Sequence, residues 1–174
     1  MLYNAGKKYF ERKFFMKQKS LSNWLKVIII GMGMIGLVFY GLVVPELGND
    51  LVSHYPEYIN GCYLWLGLVW ITAIPCYIAL YFAWKISSNI GKDHSFCKEN
   101  ANAMKIISML ALGDSIFFFV GNIIYLIIGF NHPSVVLASL VIVFIGISIS
   151  VAAAVLSHLI IKAANLKEEN DLTI

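Results

Sequence analysis

The sequence predicts an all-α integral membrane protein with four transmembrane helices in an antiparallel bundle and both termini in the cytoplasm. Three observations carry that expectation. Hydrophobic residues make up 59% of the 174-residue chain and charged residues only 13%, about half the charged share of an ordinary soluble domain. Four apolar runs reach the roughly 20 residues that a helix needs to cross a hydrocarbon core of about 30 Å. Once those runs are threaded through a bilayer, all thirteen Lys and Arg residues fall on one side.

Residues 1–24 form a basic, aromatic segment on the cytoplasmic side or in its interface. Lys7, Lys8, Arg12, Lys13, Lys17, Lys19 and Lys26 crowd the start of the chain against a single acid, Glu11. Tyr3, Phe10 and Phe14 share a helical face there, a pattern suited to an anionic leaflet. The segment is long for a secretory signal and no small-residue cleavage pattern follows, which predicts a retained signal-anchor helix.

The spans are expected at residues 25–44, 61–84, 104–130 and 135–161, making 25–161 one transmembrane domain and 162–174 a cytoplasmic tail. Lipid offers no partner to backbone N–H and C=O groups, so each span must be helical. Lys85, Lys92, Lys98 and Lys105 lie between the second and third spans, and Lys162 and Lys167 follow the fourth. Glu46, Asp50 and Glu57, then the uncharged turn from Asn131 to Ser134, lie opposite. The positive-inside rule therefore places both termini and the middle loop in the cytoplasm of the cell that bears this membrane. The net charge of +3 averages a basic face and an acidic one, and it describes no nucleic-acid-binding surface.

Within the first span, Gly31, Gly33 and Gly36 match the dinucleotide pattern G-x-G-x-x-G. That motif works between a strand and a helix N-terminus, so close helix packing explains these glycines better. In the third span Ser108, Ser115, Asn122 and Gly129 recur every seven residues. Ser139, Gly146, Ser150, Ala153 and Ser157 follow similar steps in the fourth. Small and polar stripes on antiparallel neighbours permit close approach and interhelical hydrogen bonds, so the two stripes are expected to face each other.

Asp114 is the one acid inside a span. With Ile106 marking the boundary, it lies about 12 Å from the inner end at 1.5 Å per residue, where it should be protonated, hydrogen-bonded or beside water. The same depth on the second span reaches Pro75 and Cys76, and on the fourth Ser150 and Ala153. Thr72, Asp114, Ser115 and Ser150 are the expected lining of a mid-membrane polar pocket. His158 is about one turn nearer the cytoplasm and reads as interfacial.

Catalytic and metal signatures are sparse, and neither enzyme activity nor a cofactor or metal is expected. Cys62, Cys76 and Cys97 fall at separate depths with no C-x-x-C. Asp93, His94, Cys97 and Glu99 match no usual metal spacing. Glu46, Asp50, His54 and Glu57 read as a solvated acidic loop interrupted by Pro56, and Tyr58, Tyr63, Trp65 and Trp84 as interface anchors. In the middle loop, Gly91 is expected to close the second helix in a left-handed cap. Asp93 or Ser95 would then start the third, with helical pattern from Phe96 onward.

The segment from Gly91 to Ala101 reads as G-x-x-F-x-x-E-N, built on Phe96, Glu99 and Asn100, and the chain ends Leu166-Lys167-Glu168-Glu169-Asn170-Asp171-Leu172-Thr173-Ile174. In these motifs and in its four-span plan the chain resembles the YoaS-like small bacterial membrane proteins, a domain-of-unknown-function family. The resemblance runs from the first span onward and leaves out the basic N-terminus; Ser95 stands where the family commonly has proline. It implies a location in the bacterial cell membrane and no established activity. It also implies a cytoplasmic partner, because such proteins are often encoded beside small helix-turn-helix regulators.

Two function classes follow. One is a noncatalytic membrane sensor or regulatory scaffold, contacting its partner through Phe96, Glu99, Asn100 and an extended Asp171, Leu172, Thr173, Ile174 tail. The other is a small transporter or immunity-type protein centred on Asp114. Four short spans enclose little volume, so transport would require a homo-oligomer.

Overall fold

The computed structural model describes residues 2–172, with side chains described in that range except at 2–15, 17, 58, 60, 171 and 172. It is all-helical: α1 (Leu2–Val38), a π-turn (Phe39–Val43), α2 (Val44–His54), a 3-10 turn (Pro56–Tyr58), α3 (Ile59–Gly91), α4 (Lys98–Ile127) and α5 (Pro133–Leu172). Four helical stretches are long and apolar enough to cross a membrane: Gln18–His54, Gly61–Gly91, Lys98–Ile127 and Pro133–Asn170.

The helices outrun the expected spans. The segment after residue 44, expected as an acidic loop, is the 11-residue helix α2. Pro45 sits in its first turn, where a missing N–H is tolerated. The chain breaks only at Tyr55 and Pro56, and Ser53 and His54 turn back onto the Asp50 carbonyl at 2.7 and 2.9 Å. Pro75 lies inside α3 without ending it, as neighbouring helices in a membrane allow.

The left-handed cap of α3 falls on Asp93, with φ 64°, and not on Gly91. Asp93 N–H reaches Ile90 O at 3.0 Å and His94 N–H reaches Asn89 O at 3.0 Å, the paired bonds of a Schellman ending. Gly91 serves a close contact instead: a Cβ there would come within 2.8 Å of Ser22 Oγ. Helix α4 begins two residues later than expected, with Cys97 as N-cap and no side-chain cap bond from Asp93 or Ser95. It ends in a second Schellman turn, where Gly129 has φ 76° and Phe130 N–H bonds Tyr125 O at 2.9 Å. Gly129 thus belongs to the turn and not to the stripe read from the sequence.

Among the described residues, α1 and α2 pack on α3, α3 on α4, and α4 on α5, which touches no other helix. The spans of the expected bundle form an open row, each packed on the next. Lipid covers the remaining faces, so Phe144 stays 71% exposed and Leu137 67% without the penalty water would impose.

The α4–α5 seam uses the two stripes. Ser150 Oγ donates to Ser108 O at 2.8 Å, Ser157 Oγ donates to Ala101 O at 2.7 Å, and Gly146 lies against the Ser115 hydroxyl. Helices α1 and α3 are clasped by reciprocal bonds, Ser22 Oγ to Ser87 O at 2.7 Å and Ser87 Oγ to Ser22 O at 2.9 Å. Tyr77 Oη donates to Gly33 O at 2.9 Å, and a Cβ on Gly36 would stand 3.0 Å from that phenol, so these glycines make room for a neighbouring helix. Val44, Cys62, Leu66, Leu68, Val69 and Phe118 form the apolar core between α2, α3 and α4.

Gly146→Leu is therefore expected to lower stability in detergent by about 1–3 kcal/mol through overpacking at Ser115. Gly113→Leu, where an added Cβ would meet nothing within 4 Å, should stay within about 0.5 kcal/mol of the parent. Chemical unfolding of the two variants side by side measures the difference.

Candidate functional site

Three polar side chains from three helical segments meet at the middle of the row. Tyr40 Oη, from the π-turn, donates to Cys76 Sγ on α3 at 3.8 Å, and Cys76 Sγ donates to Asp114 Oδ2 on α4 at 3.9 Å. Each bond is weak, as thiol bonds are. Their sum gives the half-buried Asp114 carboxyl a partner in a region where water supplies none.

Tyr40 arrives there because of Pro45. Val44 N–H bonds Phe39 O, five residues back, and Pro45 has no N–H to give. The Tyr40 carbonyl thereby loses both helical donors, and Trp70 Nε1 donates to it at 3.0 Å. The sequence signal for a free carbonyl was Pro45 itself; nothing marked Trp70 as its donor, and Tyr40 was missed.

The quartet expected to line one pocket is split between two places. Thr72 is buried beside Tyr40 and donates to Val69 O at 2.6 Å, on the same side as Asp114. Ser115 donates to Ala111 O at 2.7 Å and faces α5, and Ser150 is spent on Ser108. The register explains the split. Ser115 lies opposite Gly146, about one turn from the Ser150–Ala153 level that counting from span ends implied. The turn sets that register: Asn122, fully buried, accepts from Asn131 Nδ2 at 3.0 Å and from Trp65 Nε1 at 3.3 Å. Trp65 is thus partly an internal hydrogen-bonding residue, whereas Tyr63 is 74% exposed.

The loop motif also divides. Asn100 is 1% exposed, donates to His94 O and Ser95 O at 3.0 Å each, and accepts from Asn89 Nδ2 at 2.8 Å. It organises the loop from inside and presents nothing to a partner, which corrects its expected role. Phe96 is 60% exposed and Glu99 is exposed. Lys98 Nζ meets Glu168 Oε2 at 2.7 Å, joining the start of α4 to the end of α5; so exposed a pair contributes at most about 1 kcal/mol. The α5 backbone stays helical through Leu172, so the tail is not extended to that point. The Asp171 and Leu172 side chains, and all of Thr173 and Ile174, lie outside the described residues. Among the described residues, no three His, Cys, Asp or Glu side chains converge as a metal site would require.

Four long apolar helices, joined by buried serine and asparagine bonds, define a multi-pass α-helical membrane protein. The chain belongs to the family described as protein of unknown function (DUF2975), whose model matches residues 46–174. It is similar to the uncharacterized membrane protein YoaS of Bacillus subtilis (strain 168), with 34% identity over 152 residues covering 86% of this chain and 94% of that protein. No solved structure matches it significantly.

Replacing Asn100 by Ala leaves Asn89 and two loop carbonyls short of partners, at a cost of about 1–3 kcal/mol. Amide exchange over residues 92–97 should accelerate in that variant and stay unchanged in Phe96→Ser.

Proposed function

We propose that this protein is a noncatalytic sensor or regulatory scaffold of the bacterial cell membrane, with an antiparallel row of spans and both termini in the cytoplasm. The orientation rests on the one-sided placement of Lys and Arg. The antiparallel reading rests on the pairs Ala101–Ser157 and Ser108–Ser150, whose numbers rise on one helix as they fall on the next, and on Asn122–Asn131, which closes the turn between them. The observation that carries the functional reading is the union of loop and tail. Ser157 on Ala101 and Glu168 on Lys98 fasten the end of α5 beside the exposed Phe96 and Glu99. Elements whose helices run on into the spans then form one surface for a cytoplasmic protein. A small helix-turn-helix regulator is the partner that the family resemblance implies, held by protein contacts without direct binding of nucleic acid by this chain.

Affinity capture from native membranes tests this. Phe96→Ala with Glu99→Ala should reduce recovery of a cytoplasmic partner by about tenfold or more while insertion is preserved, as expected when an interface anchor is removed. Recovery of no specific partner by the parent protein removes the basis of this reading.

The contact between Cys76 and Asp114 favours a second reading, a small transporter or immunity-type protein acting through Asp114 and completed by self-association. Here Asp114→Asn should change solute flux or toxin resistance at unchanged membrane abundance. Parent-like behaviour in both assays would sink it.

A further inference from the structure

The π-turn has two ways to distribute its hydrogen bonds. Val44 N–H now bonds Phe39 O, and Trp70 supplies the Tyr40 carbonyl. If the Trp70 bond breaks, Val44 N–H can move to Tyr40 O, four residues back, and the turn winds as α-helix, with the Gly41 carbonyl now the one that Pro45 leaves without a donor. The two arrangements differ by one residue in the winding, which rotates α2 by about 100° relative to α1.

That rotation decides which face of α2 meets α3. In the present arrangement Val44 is 2% exposed and Gly48 is buried, while Val43 is 39% and Leu47 55% exposed. Gly48 is pressed against Cys62: a Cβ there would stand 3.0 Å from Sγ and 3.6 Å from Leu66. Rewinding the turn as α-helix would bring Leu47 to this place, and no leucine fits there, so α2 must lift off α3. The next break, at Tyr55 and Pro56, lets it do so without dragging α3 along.

We propose that α2 is a flap, hinged at Phe39–Val43 and latched by Trp70 on the Tyr40 carbonyl, whose opening uncovers Cys62 and takes the Tyr40 phenol off the already exposed Cys76. Opening carries Tyr40 off Cys76, so the outward arm and the mid-membrane polar groups change together. The flap needs no cytoplasmic partner and stands apart from the scaffold reading.

Alkylation by N-ethylmaleimide of the full chain in native membranes, read cysteine by cysteine by mass spectrometry, tests it. Trp70→Phe keeps the ring and removes the donor. Cys62 and Cys76 should then react about fivefold faster, the population change expected from one lost hydrogen bond, while Cys97, at the α3–α4 loop, keeps its rate. An unchanged rate at Cys62, or an equal rise at all three cysteines, overturns the flap. Gly48→Cys, close enough to Cys62 for a disulfide, supplies the lock. Oxidation of that variant should slow Cys76 alkylation below the rate of its reduced form and cancel the effect of Trp70→Phe. Equal Cys76 rates in the oxidised and reduced forms overturn the proposal, even if Trp70→Phe does not assemble.

Discussion

Hydrogen bonds from buried and half-buried side chains to the next helix, most of them to its backbone, hold this molecule together, because lipid gives its spans no hydrophobic reason to associate. Ser22 and Ser87 exchange them between α1 and α3, Trp65 reaches Asn122 between α3 and α4, and Ser150 and Ser157 supply them between α5 and α4. Each such bond in a membrane contributes only about 0.6 kcal/mol on average. Their value lies in register: every one fits at a single sliding position, and the small residues beside them let the backbones approach. An open row is stable under these terms, since each helix needs one good neighbour and not a shared core.

Proline acts in this chain through the groups it leaves without partners. Pro45 removes one donor, the winding absorbs the defect as a π-turn, and the carbonyl left over recruits Trp70 from the neighbouring helix. The same change of winding turns Val44 and Gly48 toward α3 and sends Tyr40 to Cys76. A single imino acid thereby sets the face of α2, the position of a phenol and the partner of a tryptophan. Pro75, deep in α3, does not end that helix.

Asp114 illustrates how far residue counting reaches. Depth along the spans put Cys76 at its level, and Cys76 is its hydrogen-bond partner. The same counting placed Ser115 and Ser150 beside it, but the Asn122–Asn131 bond at the turn shifts the register by about one turn and gives both serines to the α4–α5 seam. In the loop, Phe96 and Glu99 remain on the surface, whereas Asn100 is drawn inside, donating to the His94 and Ser95 carbonyls and accepting from Asn89.

What the amino-acid sequence determined by itself is the class of protein, the number of spans, the small-residue seam between the last two and the presence of a carboxyl among them. Those follow from hydropathy and helical periodicity, which are local properties summed along a segment. Only the tertiary structure decided that the spans form an open row, that the first helix continues through a π-turn into α2, and which groups meet Asp114. Those depend on register and rotation between helices, where a shift of one residue turns a side chain by about 100° and exchanges one neighbour for another.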